Sequence, residues 1–184
     1  MLMLIAAAAA AGATPDPVLA RMVALYDEVC LQAFPIDAAV DALMAKKRAR
    51  PLTAEEVKVT LVDDPGRGWA IEDGARTITV FLELPPYHAC SVRRGTDAGF
   101  TDFGAYRAIA DSFEASHRGF AAMKPMEGDV GDIHVHAIGE QRVLPGGGAE
   151  SLFVFDQHLT DPAKRAAGQT GVEVRFVHQL KTGG

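Results

Sequence analysis

The chain has 184 residues, a length typical of one domain, and 48% of them are hydrophobic, which is enough for a buried core. Its formal net charge of −6 at pH 7 removes the attraction that supplies most non-specific nucleic-acid affinity, so we expect no nucleic-acid partner. Beyond the first 13 residues no run of about 18 apolar residues occurs, so we expect no transmembrane anchor in the mature chain.

The N-terminus is an apolar block rich in alanine that closes on Ala11, Gly12 and Ala13. A short apolar stretch ending in a small-x-small triplet is typical of a secretory signal peptide. We therefore predict a signal peptide over residues 1–13, a single domain over residues 14–184, and a periplasmic or secreted location. Because no Lys or Arg precedes the apolar block, an alanine-rich N-terminus on a cytosolic protein stays open as the alternative.

Two helices are predicted before residue 51. The first begins near Pro17 and ends before Pro35, because apolar residues recur at intervals of three and four along it. Its apolar face consists of Leu19, Met22, Val23, Tyr26, Cys30 and Ala33. Asp37 can cap the second helix, which is ended by the basic cluster over residues 46–50 and by Pro51.

The segment after residue 51 has two interpretations. Thr53 and Glu56 have the spacing of a capping box, which predicts a helix. Val57, Val59 and Leu61 alternate as residues of a strand would. The segment is therefore predicted to be either a helix or a strand.

The remaining chain is rich in strand patterns. Short alternating apolar runs predict strands over residues 69–71, 77–84, 88–93, 133–143, 152–159 and 172–180. A third amphipathic helix is predicted over residues 102–117, with Thr101 or Asp102 as its N-cap. Strands that follow one another without intervening helices pair antiparallel. We therefore predict an α+β fold, with a largely antiparallel sheet of five or six strands packed against an N-terminal helical pair and a central helix. One face of the sheet should be covered by the helices and the other partly open to water.

The two cysteines, Cys30 and Cys90, belong to the first helix and to a strand. In an oxidising compartment they can form a disulfide that fastens the helix to the sheet, and we predict this bond. Inert buried thiols are one alternative. The other is a Cys90 nucleophile with His88 as its base, but no third group that would orient the base is evident, so we assign no catalytic residue.

The histidines suggest a metal site. His134 and His136 lie on the same side of a predicted strand, and Glu140 follows. Two imidazoles and a carboxylate are a plausible ligand set for Zn, Fe or Mn. A hairpin centred on Gly147 would set His136 opposite His158 and so supply a further ligand. The alternative is that these histidines lie on the solvated face of a half-exposed sheet.

A hairpin centred on residue 165 makes a separate prediction about the last strand. It sets His178 opposite Leu152, several residues along the sheet from His158, so His178 would not join the metal site.

The spacing of Gly128, His134, His136, Glu140 and Gly147 resembles the first motif of the cupin superfamily. That resemblance implies a double-stranded β-helix in which the two histidines, the glutamate and a histidine of a second motif hold a metal. Cupins include oxygenases, isomerases and some binding proteins. Neither remaining C-terminal histidine, His158 nor His178, lies in the sequence context of a second cupin motif.

The stretch over residues 66–92, together with the cysteine-bearing N-terminal helix, resembles small exported proteins of Gram-negative bacteria whose activity is not established. That resemblance implies an envelope setting. We predict a non-enzymatic binding domain without a cofactor, whose partner is an envelope protein or a small ligand. It would bind through the open face of the sheet or a cleft beside Trp69 and Tyr87. The alternative function is a metal-binding protein or metal-dependent enzyme.

Overall fold

The structure, a computed structural model, describes residues 17–74, 76–96, 103–167 and 172–183. The predicted signal peptide, residues 1–13, and the predicted helix caps Thr101 and Asp102 lie outside the described residues. No helix within the described ranges is long and apolar enough to span a bilayer.

The described residues form five α-helices, one π-helical segment and nine strands. The α-helices are α1 (Pro17–Tyr26), α2 (Asp37–Lys46), α3 (Ala54–Leu61), α4 (Gly104–Ser116) and α5 (Pro162–Ala166), and the π-helical segment is Asp27–Ala33. The strands are β1 (Arg50–Pro51), β2 (Gly66–Asp73), β3 (Arg76–Glu83), β4 (Tyr87–Thr96), β5 (Ala121–Ala122), β6 (Met126–Val130), β7 (Ile133–Val143), β8 (Ala149–Leu159) and β9 (Val172–Lys181).

All nine strands belong to one sheet in the order β1-β2-β3-β4-β9-β8-β7, and both β5 and β6 pair with the outer edge of β7. Every described pair is antiparallel. The predicted α+β class and antiparallel sheet are therefore confirmed. The predicted number of strands is wrong, because β1, β5 and β6 have only two, two and five residues, all exposed, and carry no apolar alternation that would reveal them.

One side of the sheet, the core face, carries α1, the π-helical segment, α2 and α4. Aromatic rings join these helices to the sheet: Tyr106 of α4 stacks on Phe176 with ring centroids 4.9 Å apart, and the Tyr26 and Phe176 centroids are 5.6 Å apart. Further fully buried members of this core are Met22, Met44, Leu82, Leu152, Val80, Val92 and Val174. The apolar stripe of the first helix was correctly predicted to face this core.

The first helix does not stay α-helical to Pro35 as predicted. After Tyr26 the chain widens into the π-helical segment, which ends with the Phe34 N–H donating to the Val29 carbonyl oxygen at 3.0 Å. The second helix ends at the basic cluster, as predicted. It ends at Lys46, and Arg48 then takes a left-handed conformation with φ of 55° that a continuing helix does not allow.

The ambiguous segment is the helix α3. Both halves of its capping box are present, since Thr53 accepts from the Glu56 N–H and Glu56 accepts from the Thr53 N–H. Leu61 is buried whereas Val59 is 85% exposed. α3 lies on the opposite side of the sheet from the other N-terminal helices. We call this side of the sheet the second face. The prediction that helices cover one face alone is therefore wrong.

Candidate functional site

The predicted disulfide between Cys30 and Cys90 is present, and both residues are fully buried with their Cα atoms 5.4 Å apart. It fastens the π-helical segment to β4. The alternative of a Cys90 nucleophile is thereby removed, since the sulfur is bonded to Cys30. His88 lies in a separate contact, with its Nε2 2.8 Å from Asp37 Oδ1.

His178 occupies the core face beside this disulfide and is 1% exposed. Its Nδ1 donates to the Cys30 carbonyl oxygen at 2.6 Å, because a carbonyl can only accept, and its Nε2 lies 2.8 Å from Glu150 Oε1. Burial alone would raise the pKa of Glu150, but the hydrogen bonds and charges of His178 and Arg142 outweigh it and hold that pKa below its ordinary value. Because His178 and Glu150 are both buried and bonded to each other, we assign this network a structural role.

The predicted metal ligands are only partly brought together. His134 lies directly opposite His158, with ring centroids 4.9 Å apart. The prediction that His136 would face His158 is wrong, because His136 faces Asp156. The hairpin is centred on Gly146, one residue earlier than predicted, and this shifts every cross-strand pair by two positions.

Glu140 does not join the histidines. Its Oε1 accepts a hydrogen bond from Arg107 Nη1 of α4 at 2.6 Å. Glu140 lies six residues along β7 from His134 and is therefore about 20 Å away from it. Among the described residues, no group of three His, Cys, Asp or Glu side chains is arranged to hold a metal ion. His178 faces Leu152, as predicted, and lies away from the histidine pair.

His134 is instead bound by carboxylates of β6. Its Nδ1 lies 2.7 Å from Asp129 Oδ1 and its Nε2 3.5 Å from Glu127 Oε1. The hydrogen bond that His134 donates to Asp129 is the main cause that raises the pKa of His134, and Glu127 adds to it. This pair of strands thus favours a protonated imidazole at an exposed site.

The second face contains a different feature, a cavity of about 280 Å³ between α3 and the sheet, which we call the α3 cavity. Its volume is close to the lower limit of typical small-molecule sites. Apolar side chains form much of its wall, and these are Leu61 and Val62 from the end of α3 and Phe81, Ala89, Phe153, Phe155 and Val177 from the sheet. Polar groups also line it: Thr60, Asp64, Glu83, Ser91, Arg175 and Gln179.

Arg175 lies at one end of the α3 cavity. In the sheet it stands directly between Phe155 of β8 and Arg93 of β4. Its guanidinium carbon is 4.4 Å from the centroid of the Phe155 ring, and its Nε is buried without a hydrogen-bond partner. Burial, followed by the charge of Arg93, lowers the pKa of Arg175.

Arg93 is bonded to a carboxylate where Arg175 is not, although the Nε of Arg93 is also buried without a hydrogen-bond partner. Its Nη1 donates to Thr60 Oγ1 of α3 at 2.6 Å, and its Nη2 donates to Glu173 at 2.7 Å. The bond to Thr60 holds α3 over the sheet, and the bond to Glu173 of β9 pairs the charge of Arg93. Among the described residues no carboxylate is hydrogen-bonded to Arg175, and Glu173 and Glu83 act on it through their charges alone.

Carboxylates lie at the other end of the α3 cavity. Glu83 is two strands from Arg175 and four residues farther along the sheet, which places their Cα atoms about 16 Å apart. Burial raises the pKa of Glu83, and the charge of Asp64 raises it further. The cavity is therefore polarised, with positive charge at the Arg175 end, negative charge at the Glu83 end and aromatic rings between.

The predicted cleft beside Trp69 and Tyr87 is not formed by those two residues together. Trp69 is 7% exposed and packs in the core face, where it lies opposite Val80. Tyr87 is 42% exposed, and its register places it on the second face.

Sequence reasoning missed Arg175. One signal was available, since Phe153 and Phe155 both point to the face that was expected to be partly solvated, as does Phe81. Three aromatic residues on that face indicate that something covers it. The helix α3 covers these rings. Its position could not be deduced from the sequence, because the pattern of that segment fits both a helix and a strand.

Comparison of the chain with protein-family models, with curated proteins and with solved structures finds no significant match. The resemblances to the first cupin motif and to exported Gram-negative proteins therefore stay predictions. Function has to be argued from the α3 cavity and the histidine pair themselves.

Proposed function

We propose that this protein is an exported, non-enzymatic binding domain that holds a small ligand in the α3 cavity. The observation that carries the proposal is that a single short helix, α3, covers an aromatic patch on the second face. Phe81, Phe153 and Val177 would be solvated if α3 were absent, yet α3 leaves a cavity above them instead of packing against them tightly. Concave sites with apolar walls and a few polar groups are typical of small-molecule binding.

The rest of the fold supports a rigid site. The floor of the cavity belongs to β3, β4, β8 and β9, which are central strands of the sheet. On the core face below them, the Cys30–Cys90 disulfide and the buried His178–Glu150 pair fix the helices to the same strands. A preformed floor reduces the conformational entropy lost when a ligand binds.

The exported location is part of this proposal. The Cys30–Cys90 bond supports an oxidising compartment, since disulfides are rare in the cytosol. The apolar block that closes on Ala13 supports cleavage there. The mass of the protein from fractionated cells tests this: we expect a chain that begins at Thr14 in the periplasm or medium, whereas a cytosolic chain beginning at Met1 with two free thiols would contradict it.

A cavity-filling substitution tests the binding site. We expect the oxidised protein to bind anilinonaphthalene sulfonate (ANS), a small aromatic anion with environment-sensitive fluorescence, in a saturable way. Ser91→Phe places a benzyl group inside the cavity and should weaken this binding at least about tenfold. The matched control Ala115→Phe adds the same ring on the exposed side of α4 and should bind ANS as the parent does. Equal binding by Ser91→Phe would place the ligand elsewhere and contradict the proposal.

A divalent metal ion at the His134–His158 pair is a second candidate. It is favoured by one observation: Asp129 holds Nδ1 of His134, an arrangement that leaves Nε2 as the donor atom of a metal ligand. Glu127, 3.5 Å from that Nε2, would have to supply a third ligand. Equilibrium dialysis against zinc tests this candidate, with stoichiometric uptake that is lost in His134→Ala expected. If the parent protein does not retain zinc, this second candidate function is wrong.

A further inference from the structure

Arg175 bears on the chemistry of the ligand, and this inference rests on the proposed binding function. Its position is unusual because it lies directly across from Arg93 in adjacent strands. Like charges directly opposite one another destabilise a sheet. One of the two positive charges is compensated, since Glu173 binds Arg93 at 2.7 Å. The other, on Arg175, is left without a bonded carboxylate among the described residues.

The surroundings make this surplus charge costly. Phe155 covers the guanidinium with its ring centroid 4.4 Å away, and the buried Nε makes no hydrogen bond. A cation–π contact offsets only part of the cost of removing a guanidinium from water. Both basic residues that line the cleft between α1 and the β2–β3 hairpin are ion-paired by contrast, since Lys47 binds Glu28 and Arg21 binds Asp73.

We propose that the α3 cavity binds a small amphipathic anion, with its carboxylate, phosphate or sulfonate group on the Arg175 guanidinium and its apolar or aromatic body against Phe153 and Val177. A guanidinium is suited to such groups because its planar donors match the oxygens of an anion. Glu83 and Asp64 at the far end repel the anionic group, so they orient the ligand with its charged end toward Arg175.

A matched pair of probes tests the charge preference. ANS and its neutral parent, phenylnaphthylamine, share the same aromatic body and differ only in the sulfonate. In the oxidised protein we expect ANS to bind at least about tenfold more tightly than phenylnaphthylamine, the range of a hydrogen bond to a charged group. Decanoate should displace ANS at least about tenfold more effectively than decanol for the same reason.

Substitution of Arg175 assigns the preference to this residue. Arg175→Met keeps the apolar stem and should lower the affinity for ANS about tenfold while leaving that for phenylnaphthylamine unchanged. Arg175→Lys retains the charge and should restore part of the affinity. The control Arg165→Met removes an exposed arginine of α5 and should change neither affinity.

The outcomes separate the two proposals. If both probes bind the parent protein equally and Arg175→Met changes neither affinity, the anionic ligand is wrong and the cavity stays a binding site. If neither probe nor decanoate binds, the binding function and the anionic ligand are both overturned. If Arg175→Met weakens both probes equally, Arg175 shapes the cavity and does not select charge, which overturns the inference.

Discussion

Arg175 stacks on Phe155 of the neighbouring strand, with its guanidinium carbon 4.4 Å from the ring centroid. No described carboxylate is bonded to it, whereas the adjacent Arg93 is bonded to Glu173. A side chain placed in this way contributes little to folding. Residues that bind ligands commonly reduce the stability of the free protein, because they are arranged for a group that is not yet there.

We therefore expect Arg175→Met to leave the free energy of unfolding unchanged or to raise it by about 1 kcal/mol, because it removes a largely buried charge to which no described carboxylate is hydrogen-bonded. Urea unfolding of the oxidised protein measures this, with Arg165→Met as the exposed control. A decrease of more than about 1 kcal/mol in Arg175→Met alone would mean that the arginine is a structural residue.

Glu150 should behave in the opposite way. It is 5% exposed and accepts from the buried His178, so Glu150→Gln should lower the free energy of unfolding by about 3 kcal/mol. Glu72→Gln, an exposed carboxylate on β2, is the matched control and should change it by less than about 0.5 kcal/mol. A change in Glu150→Gln as small as in the control would contradict the structural role of the pair.

The same carboxylate predicts a pH dependence. Because the pKa of Glu150 is lower in the folded state than its ordinary value of 4.5, the folded state binds this proton less tightly than the unfolded state does. The stabilisation from Glu150 is thus present above pH 4.5 and is lost as the pH falls through the folded-state pKa. Unfolding curves of the parent and of Glu150→Gln should converge in acid, and curves that stay parallel would show that Glu150 does not titrate in this way.

Glu114 on α4 should produce the reverse trend. Burial, with the neighbouring Glu140, raises its pKa from 4.5 to about 7, so the folded state binds this proton more tightly. Its stabilising effect is complete below pH 4.5 and is lost as the pH rises to about 7. Relative to Glu114→Gln, the parent should lose stability across that interval in thermal unfolding. A constant difference between the two proteins would show that the carboxyl titrates normally.

Removal of the disulfide should cost about 4 kcal/mol, because the Cys30–Cys90 bond closes a loop of 60 residues that the unfolded chain would otherwise sample freely. Guanidinium unfolding of the double variant Cys30→Ala, Cys90→Ala measures this, and the reduced parent protein should lose a similar amount. A loss below about 1 kcal/mol in both would show that the noncovalent contacts alone fix the π-helical segment to β4.

Local patterns in the sequence predicted much of the core face. The apolar stripe that carries Cys30 and the alternation around Cys90 were sufficient to predict the disulfide, and a hairpin centred on residue 165 correctly set His178 opposite Leu152. The β7–β8 register was missed by two positions. A turn that contains adjacent glycines, Gly146 and Gly147, can be centred on either of them, and its backbone conformation selects the pairing.

The α3 cavity could not be predicted because it depends on contacts between distant segments. Arg175 becomes notable only when β9 is placed between β4 and β8, which brings Arg93 to one side of it and Phe155 to the other. Residues 93 and 175 are far apart in the chain, and no local periodicity encodes such a pairing. The histidine pair shows the same limit, since His134 and His158 meet only in the observed register.

The most direct measurement is a crystal structure of the oxidised protein with ANS bound. The predicted result is a sulfonate group within hydrogen-bonding distance of the Arg175 guanidinium and a naphthalene ring between α3 and Phe153. An ANS molecule bound at any other surface, or one in the α3 cavity whose sulfonate points away from Arg175 into solvent, would contradict an anion-binding role for this arginine.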